Sequence, residues 1–194
     1  MKTWKTKNGF EIIRVLSGRS NAYLISYNNI FILADTGKKA ALKTLSKNIE
    51  LLNISVGDLN FLLLTHTHFD HCQSAKRIKQ ISNCSIITSL VAEDFIKKGY
   101  TKLPDGTIQA TKLIAGLGNL IGEIKFGYEP FQADIFVEKE YDLNISDKNL
   151  KIIATPGHSP DSISIIVDNE IAIVGMSCSE FLIIQFSRLT QMIL

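Results

Sequence analysis

The chain has 194 residues, of which 45% are hydrophobic, so it is long enough for one domain with a substantial core. Its 21 basic and 19 acidic residues are spread along the chain, which argues against a nucleic-acid-binding protein. No stretch has the apolar length of a membrane span, and Gly9-Phe10-Glu11 follows the basic start where a signal peptide would continue apolar. Three cysteines without a CxxC pair argue against disulfides. We therefore expect a cytoplasmic protein without nucleic-acid or membrane partners.

Apolar runs and helical periodicities define the predicted elements. Early strands joined by a turn at residues 17–21 predict an antiparallel meander, and helices then alternate with strands. This order predicts an α/β (α+β) fold of two sheets covered by helices, with functional loops at one end. In chain order, strands are predicted over 11–16, 22–26, 30–34, 61–64, 85–88, 135–137, 150–154, 162–167 and 171–174, and helices over 38–52, 72–81 and 91–98.

The stretch from residue 100 to residue 130 has no single pattern, because several glycines interrupt it. One interpretation is a lid or an insertion that faces the substrate. An ordinary surface loop that contains a helix is an equally good interpretation. The sequence does not separate the two.

Histidines mark the ends of two predicted strands. Three of the four lie in His66-Thr67-His68-Phe69-Asp70-His71, between a buried strand and a helix. Histidines at i and i+2 of an extended loop point to the same side of the backbone, so they can bind one ion together. The fourth, His158, follows another strand, and three imidazoles leave an open position on zinc. Alternatively, His158 is a surface residue and Asp70 a helix N-cap. The grouping of every histidine at strand ends favours the metal site.

The histidine run resembles the HxHxDH signature of the metallo-β-lactamase superfamily, and Thr155-Pro156-Gly157-His158-Ser159-Pro160 resembles its second ligand motif. Residues 21–25 and 33–37 are similar to its early strands. The resemblance extends from about residue 10 to Gly175, so we expect a domain at 1–175 and an atypical tail at 176–194. It implies an αββα sandwich with metals at one edge, most similar to small general or glyoxalase II-like hydrolases.

The resemblance also implies roles for individual residues. His66, His68 and His158 would bind a first zinc ion, Asp70 and His71 would bind a second metal, and Asp35 would support the ligands from behind. The implied reaction is hydrolysis of an ester, thioester, lactone, amide or phosphoester bond in a small molecule. A metal-bound hydroxide would attack, and the metals would stabilise the oxyanion. With a single zinc, Asp70 would orient the water or accept its proton, and iron or manganese are alternatives to zinc.

The sequence departs from the family pattern after Gly175. The family has an aspartate there that bridges both metals, whereas this chain has Met176, whose thioether is a poor zinc ligand. A last downstream histidine is also absent, and Cys178 and Glu180 do not match the expected spacing. We therefore expect an incomplete second site and one zinc ion, or two if other ligands complete that site.

The composition of the tail also changes at this point. Residues 176–194 contain one acid and one base and no Gly, Asp, Asn or Lys. A frameshift after Gly175 would explain both changes, and we expect the last part of the second half of the fold to be missing. A genuine short paralogue is the alternative. Functionally, a metal-binding but catalytically impaired protein is the first alternative to the hydrolase. A mono-iron oxygenase of the same superfamily is the second, although Met176 argues against it.

Overall fold

The structure is a computed structural model that describes residues 1–102 and 126–175 and the backbone of Ile183–Gln185. The strands are β1 Thr3–Lys5, β2 Glu11–Leu16, β3 Ala22–Tyr27, β4 Ile30–Ala34, β5 Phe61–Leu63, β6 Ser85–Ser89, β7 Ile135–Val137, β8 Glu140–Ile145, β9 Lys148–Ala154, β10 Ile163–Val167, β11 Ile171–Val174 and β12 Ile183–Gln185. The α-helices are α1 Leu42–Glu50, α2 Phe69–Cys72, α3 Ala75–Ser82 and α4 Glu93–Lys98. Short 3₁₀ helices lie at Lys39–Ala41, Val56–Asp58 and Leu90–Ala92.

Two sheets form the framework. The first has seven strands in the order β1-β2-β3-β4-β5-β6-β7, antiparallel from β1 to β4 and parallel from β4 to β7. The second has five antiparallel strands in the order β12-β11-β10-β9-β8. Because β4 and β5 run in parallel, the loops that follow Ala34 and Leu63 leave the sheet at the same edge. The residues that follow these two strands therefore lie close together.

The core has two apolar layers, one on each face of the seven-stranded sheet. Between the sheets, Leu63 packs in one cluster with Ile152 and Ile165 of the second sheet. On the other face, Leu62 belongs to the cluster that contains Leu45 of α1 and the buried residues of α3 and α4. Strand β5 is thus buried on both faces, which explains why its sequence is continuously apolar.

The predicted α/β class is confirmed, and every predicted strand is present with its ends displaced by at most two residues. The helix predicted over 72–81 is different. It divides into α2, which already begins at Phe69, and α3, with Gln73 and Ser74 between them. Asp70 and His71 therefore lie in a helical turn, closed by a hydrogen bond of 2.8 Å from the His71 amide to the His68 carbonyl. Most of the predicted lid or loop, residues 103–125, lies outside the described residues.

Strands β1, β8 and β12 were not predicted. In β8, Leu143 and Ile145 are buried while Asp142 and Asn144 are exposed, so the alternation typical of a half-buried strand is present in its sequence. The backbone of β12 pairs antiparallel with β11, so the segment after residue 175 adds a strand to the second sheet. Among the residues that the structure describes, no helix has the length and apolar character needed to cross a membrane.

Candidate metal centre

Two strand-end loops bring three histidines together. His66 and His68 lie between β5 and α2, and His158 lies in the loop between β9 and β10. One nitrogen from each side chain lies within 4.8 Å of the other two. The ring centroids are 4.7 to 5.2 Å apart and the rings are nearly perpendicular, at 76° to 89°. This arrangement directs three imidazole nitrogens toward a common point.

The hydrogen bonds of Thr65 determine which nitrogen of His66 carries its hydrogen. The Asp35 carboxylate accepts hydrogen bonds from the Thr65 amide (2.8 Å) and the Thr65 hydroxyl (2.7 Å). Since the only hydroxyl hydrogen is used there, His66 Nδ1 must donate to Thr65 Oγ1, which is 3.2 Å away. The lone pair of His66 is then on Nε2. That atom is buried and has no hydrogen-bond partner in the part of the chain that the structure describes.

His68 presents its other nitrogen to the cluster. Its Nε2 lies 3.3 Å from the carbonyl oxygen of Lys102, which can only accept, so Nε2 carries the hydrogen. The lone pair on Nδ1 faces His158 Nε2 at 3.1 Å. Two imidazole nitrogens at this distance need a hydrogen or a cation between them. The three nitrogens therefore suit a metal ion, which would occupy the place of that hydrogen and engage the partnerless His66 Nε2.

Burial keeps these imidazoles neutral. It lowers the pKa of His66 well below the usual value, and the neighbouring histidines lower it further. Burial is also the main cause of the lowered pKa values of His68 and His158. Neutral imidazole is the form that binds metals, so protons compete weakly for this cluster near neutral pH.

Asp35 lies behind the cluster and also contacts His71. Its Oδ2 accepts a hydrogen bond from His71 Nδ1 at 2.9 Å, and both side chains are buried. The Asp35 backbone is left-handed, with φ of +62°, which aspartate tolerates better than most residues. With Nδ1 bound to Asp35, His71 would ligate through Nε2. Its ring centroid lies 4.0 Å from that of His66, but His71 is outside the three-nitrogen cluster.

Asp70 is also outside the cluster, and it pairs with a residue for which the sequence predicted no role. Arg19 Nε donates to Asp70 Oδ2 at 3.2 Å, and the guanidinium lies 5.6 Å from the centroid of the Phe69 ring. The Ser20 hydroxyl donates to the Asp70 carbonyl. The turn at residues 17–21 thus holds the start of α2. The available signal was a basic residue in a turn at the same end of the sheet.

Asp161 is a second contact that the sequence did not assign. It is fully buried, and its Oδ2 accepts hydrogen bonds from the Thr67 amide (2.8 Å) and the Thr67 hydroxyl (2.6 Å). Its Oδ1 accepts from the Ser159 hydroxyl. The signal in the sequence was a carboxylate three residues after His158, in the same ligand loop.

The end of β11 also reaches this site. A Cβ atom added to Gly175 would lie 2.5 Å from Thr65 Oγ1 and 2.9 Å from His66 Nδ1, so only glycine permits this approach. Strand β11 therefore ends directly behind His66. The next residue in the sequence, Met176, lies outside the described residues.

The two packed sheets and the histidine cluster at one edge place this chain in the class of α/β proteins with a candidate metal centre. Residues 17–174 match the sequence model of the metallo-β-lactamase superfamily, and the chain belongs to this superfamily. It is 28% identical over 156 residues to a probable metallo-hydrolase of Methanocaldococcus jannaschii, covering 78% of this chain and 64% of the relative. It is 31% identical to the hydroxyacylglutathione hydrolase GloC of Haemophilus influenzae, covering 85% and 69%. These relatives place it in a family of hydrolases that bind metal ions.

Solved structures show the same fold. A HARLDQ-motif mutant of a Cronobacter sakazakii metallo-β-lactamase has a TM-score of 0.67 at 18% identity, covering 91% of this chain and 64% of that one. The subclass B3 enzyme BJP-1 of Bradyrhizobium japonicum has a TM-score of 0.64 at 21% identity, covering 87% and 55%. At these identities the likeness concerns the fold alone. The chain spans slightly less than two thirds of the M. jannaschii relative.

Proposed function

We propose that this chain is a zinc-dependent hydrolase of a small molecule and that His66, His68 and His158 hold its metal ion. The observation that carries the proposal is the buried Nε2 of His66, which has no hydrogen-bond partner among the described residues and lies beside the other two imidazole nitrogens. Burying a polar atom without a partner is unfavourable, so such an atom in a site calls for a ligand. The free, buried thiols of Cys72 and Cys84 support a cytoplasmic location.

The donor set supports zinc as the ion. Three neutral nitrogens leave a coordination position open, which is the pattern of catalytic zinc sites. Imidazole also suits iron, whereas manganese prefers oxygen ligands and is the weaker alternative. Zinc held there would supply a Lewis acid and lower the pKa of a bound water toward about 7. We assign Asp70 as the acceptor of the proton from the attacking water, with Arg19 holding its carboxylate in position. The substrate bond would be an ester, thioester, lactone, amide or phosphoester.

Asp70 and His71 form the protein side of a second, incomplete site in this proposal. The Asp70 carboxylate is engaged by Arg19, and His71 is held by Asp35. The sequence offers Met176 where an anionic ligand is needed. These observations favour one metal ion, and they make a metal-binding but catalytically impaired protein the second candidate. A mono-iron oxygenase is the third candidate. Met176 argues against it, because that enzyme would need the same anionic ligand. We take residues 1–175 as the domain that carries the site and 176–194 as its tail.

Metal content and turnover test the proposal. The purified full chain should contain about one zinc ion and hydrolyse a glutathione thioester, the substrate class named for the H. influenzae relative. His66→Ala should lose both properties. Asp142→Asn, which removes an exposed carboxylate from β8, should keep both. Zinc without turnover on thioesters, esters, lactones or phosphodiesters would support the impaired protein, and absence of bound metal would refute both.

A further inference from the structure

A buried carboxylate connects the two loops that carry the metal ligands. Thr67 lies between His66 and His68, and Asp161 lies three residues after His158. Oδ2 of Asp161 accepts both the amide and the hydroxyl hydrogen of Thr67, across 94 positions of sequence. This contact is a direct polar link between the loop that carries His66 and His68 and the loop that carries His158. Its atoms lie beside the cluster and belong to none of the three histidines.

We propose that Asp161 is a positioning residue that holds the two ligand loops at the spacing a metal ion needs. This inference rests on the proposed metal centre. The Thr67 amide belongs to a planar peptide, so its bond to Asp161 fixes the orientation of the peptide group between His66 and Thr67. Since Asp161 and His158 share one tight loop, the same bond fixes His158 relative to that peptide. Residues that orient metal ligands in this way tune metal affinity without touching the ion.

The site requires a carboxylate and not an amide. Three donors converge on Asp161, namely the Thr67 amide, the Thr67 hydroxyl and the Ser159 hydroxyl. A carboxylate only accepts, so it satisfies all of them, and these bonds offset its burial. An asparagine in its place would direct an NH₂ group at one or more of these donors. The side chains are nearly isosteric, so the substitution changes hydrogen bonding with little change in packing.

Asp161 also sets the direction of a longer hydrogen-bond chain. Because the Thr67 hydroxyl donates to Asp161, it must accept from the Thr101 hydroxyl at 2.8 Å. Thr101 in turn accepts from the Tyr128 hydroxyl at 2.8 Å. The residue after Thr101 is Lys102, whose carbonyl accepts from His68 Nε2. The carboxylate is therefore connected, through Thr67 and Thr101, to the residue next to the carbonyl that binds His68.

A separate bond keeps the loops together when this clamp is weakened. The Ile163 amide donates to the Thr65 carbonyl at 2.8 Å, and the sheet pairing of β9 with β10 is independent of Asp161. We therefore expect Asp161→Asn to fold. Thr67→Val removes the hydroxyl and keeps the amide bond, and Thr67→Ser keeps both donors. The exposed Asp142→Asn is the matched charge control.

Two measurements on the full chain test the inference. One is zinc affinity, measured by competition with a chromogenic chelator, and the other is the visible absorption spectrum of bound Co²⁺. Asp161→Asn should bind zinc about 10- to 100-fold more weakly and alter the Co²⁺ spectrum. Thr67→Val should weaken binding about 3- to 10-fold, less than the 10- to 100-fold range because the amide bond to Asp161 remains, while Thr67→Ser and Asp142→Asn stay within about twofold. Thermal unfolding of the metal-free proteins reports on the fold separately.

The outcomes separate this inference from the proposed function. Wild-type protein that binds neither zinc nor Co²⁺ refutes the metal centre and, with it, the role of Asp161. Normal wild-type binding together with unchanged affinity in Asp161→Asn overturns the positioning role alone. If Asp161→Asn fails to fold, the two Thr67 variants decide. Zinc binding that is weaker in Thr67→Val than in Thr67→Ser supports the positioning role of Asp161. Equal zinc binding in the two variants refutes it.

Discussion

Asp35→Asn tests whether the Asp35 carboxylate determines which ring nitrogen of His66 and of His71 carries the hydrogen. The change keeps the shape of the side chain, and asparagine tolerates the left-handed backbone at this position as well as aspartate does. It replaces an acceptor-only carboxylate with a group that has one donor end. Asp35 now accepts from the Thr65 amide, the Thr65 hydroxyl and His71 Nδ1, so an NH₂ group must face at least one donor.

The consequence reaches two histidines. If the NH₂ group faces His71, the ring must move its hydrogen to Nε2. If the NH₂ group instead faces Thr65, the Thr65 hydroxyl accepts from that group and donates its own hydrogen to His66 Nδ1. The hydrogen of His66 then moves to Nε2 as well. A hydrogen bond to a charged group contributes about 1.5–3 kcal/mol, so we expect unfolding free energy to fall by about 2–3 kcal/mol. Zinc affinity should fall about 10- to 100-fold, as for other changes behind metal ligands.

Urea unfolding of the metal-free protein and zinc competition measure the two effects of Asp35→Asn separately. Asp142→Asn, an exposed carboxylate, is the control and should change both quantities little. Unchanged zinc affinity in Asp35→Asn would show that the imidazole hydrogens are not set by this carboxylate. The assignment of the metal-facing lone pair to His66 Nε2 would then be wrong.

Three further predictions follow from the same contacts. Gly175→Ala places a methyl group against Thr65 and His66 and should destabilise the protein by about 1–3 kcal/mol in urea unfolding. Gly157→Ala, whose Cβ would meet nothing within 4 Å, should stay within about 0.5 kcal/mol, and equal effects would contradict the close approach. Arg19→Ala removes an exposed partner of Asp70, so the unfolding free energy should change by less than about 1 kcal/mol. The hydrolysis rate should fall while KM changes little. An unaltered rate would show that Arg19 does not position Asp70. Folding lowers the pKa values of the clustered histidines. Below about pH 6.5 the unfolded chain therefore binds more protons than the folded metal-free chain does. The unfolding free energy of the metal-free chain should therefore decrease as pH falls from 7.5 to 5.5, and a flat profile would show that these imidazoles are not held neutral.

Local patterns were sufficient to predict nine of the twelve strands that the structure describes, and the clustering of the histidines. His66 and His68 follow a strand that is buried on both faces, and His158 follows another core strand, so their places are set within a few residues of sequence. The contacts that orient them are not local. Thr67 and Asp161 are 94 positions apart, and Arg19 and Asp70 are 51 apart. Such pairs depend on how the two sheets and the opening turn pack, which no periodicity encodes. The missed strand β8 has the opposite cause, because its exposed charged residues obscured a local alternation.

The same contacts bear on how many metal ions the centre holds. Two dications about 4 Å apart repel each other strongly, by about 16 kcal/mol at an effective dielectric constant of 20, unless anionic ligands lie between them. Asp70 is the carboxylate nearest in sequence to the ligands, and it already forms an ion pair with Arg19 at 3.2 Å. Asp35 and Asp161 are buried and committed to His71, Thr65 and Thr67, so neither is available to bridge. Among the described residues, the charge needed to screen a second ion is therefore already used for positioning. The first ion needs only neutral nitrogens, which is why we expect this centre to function with one.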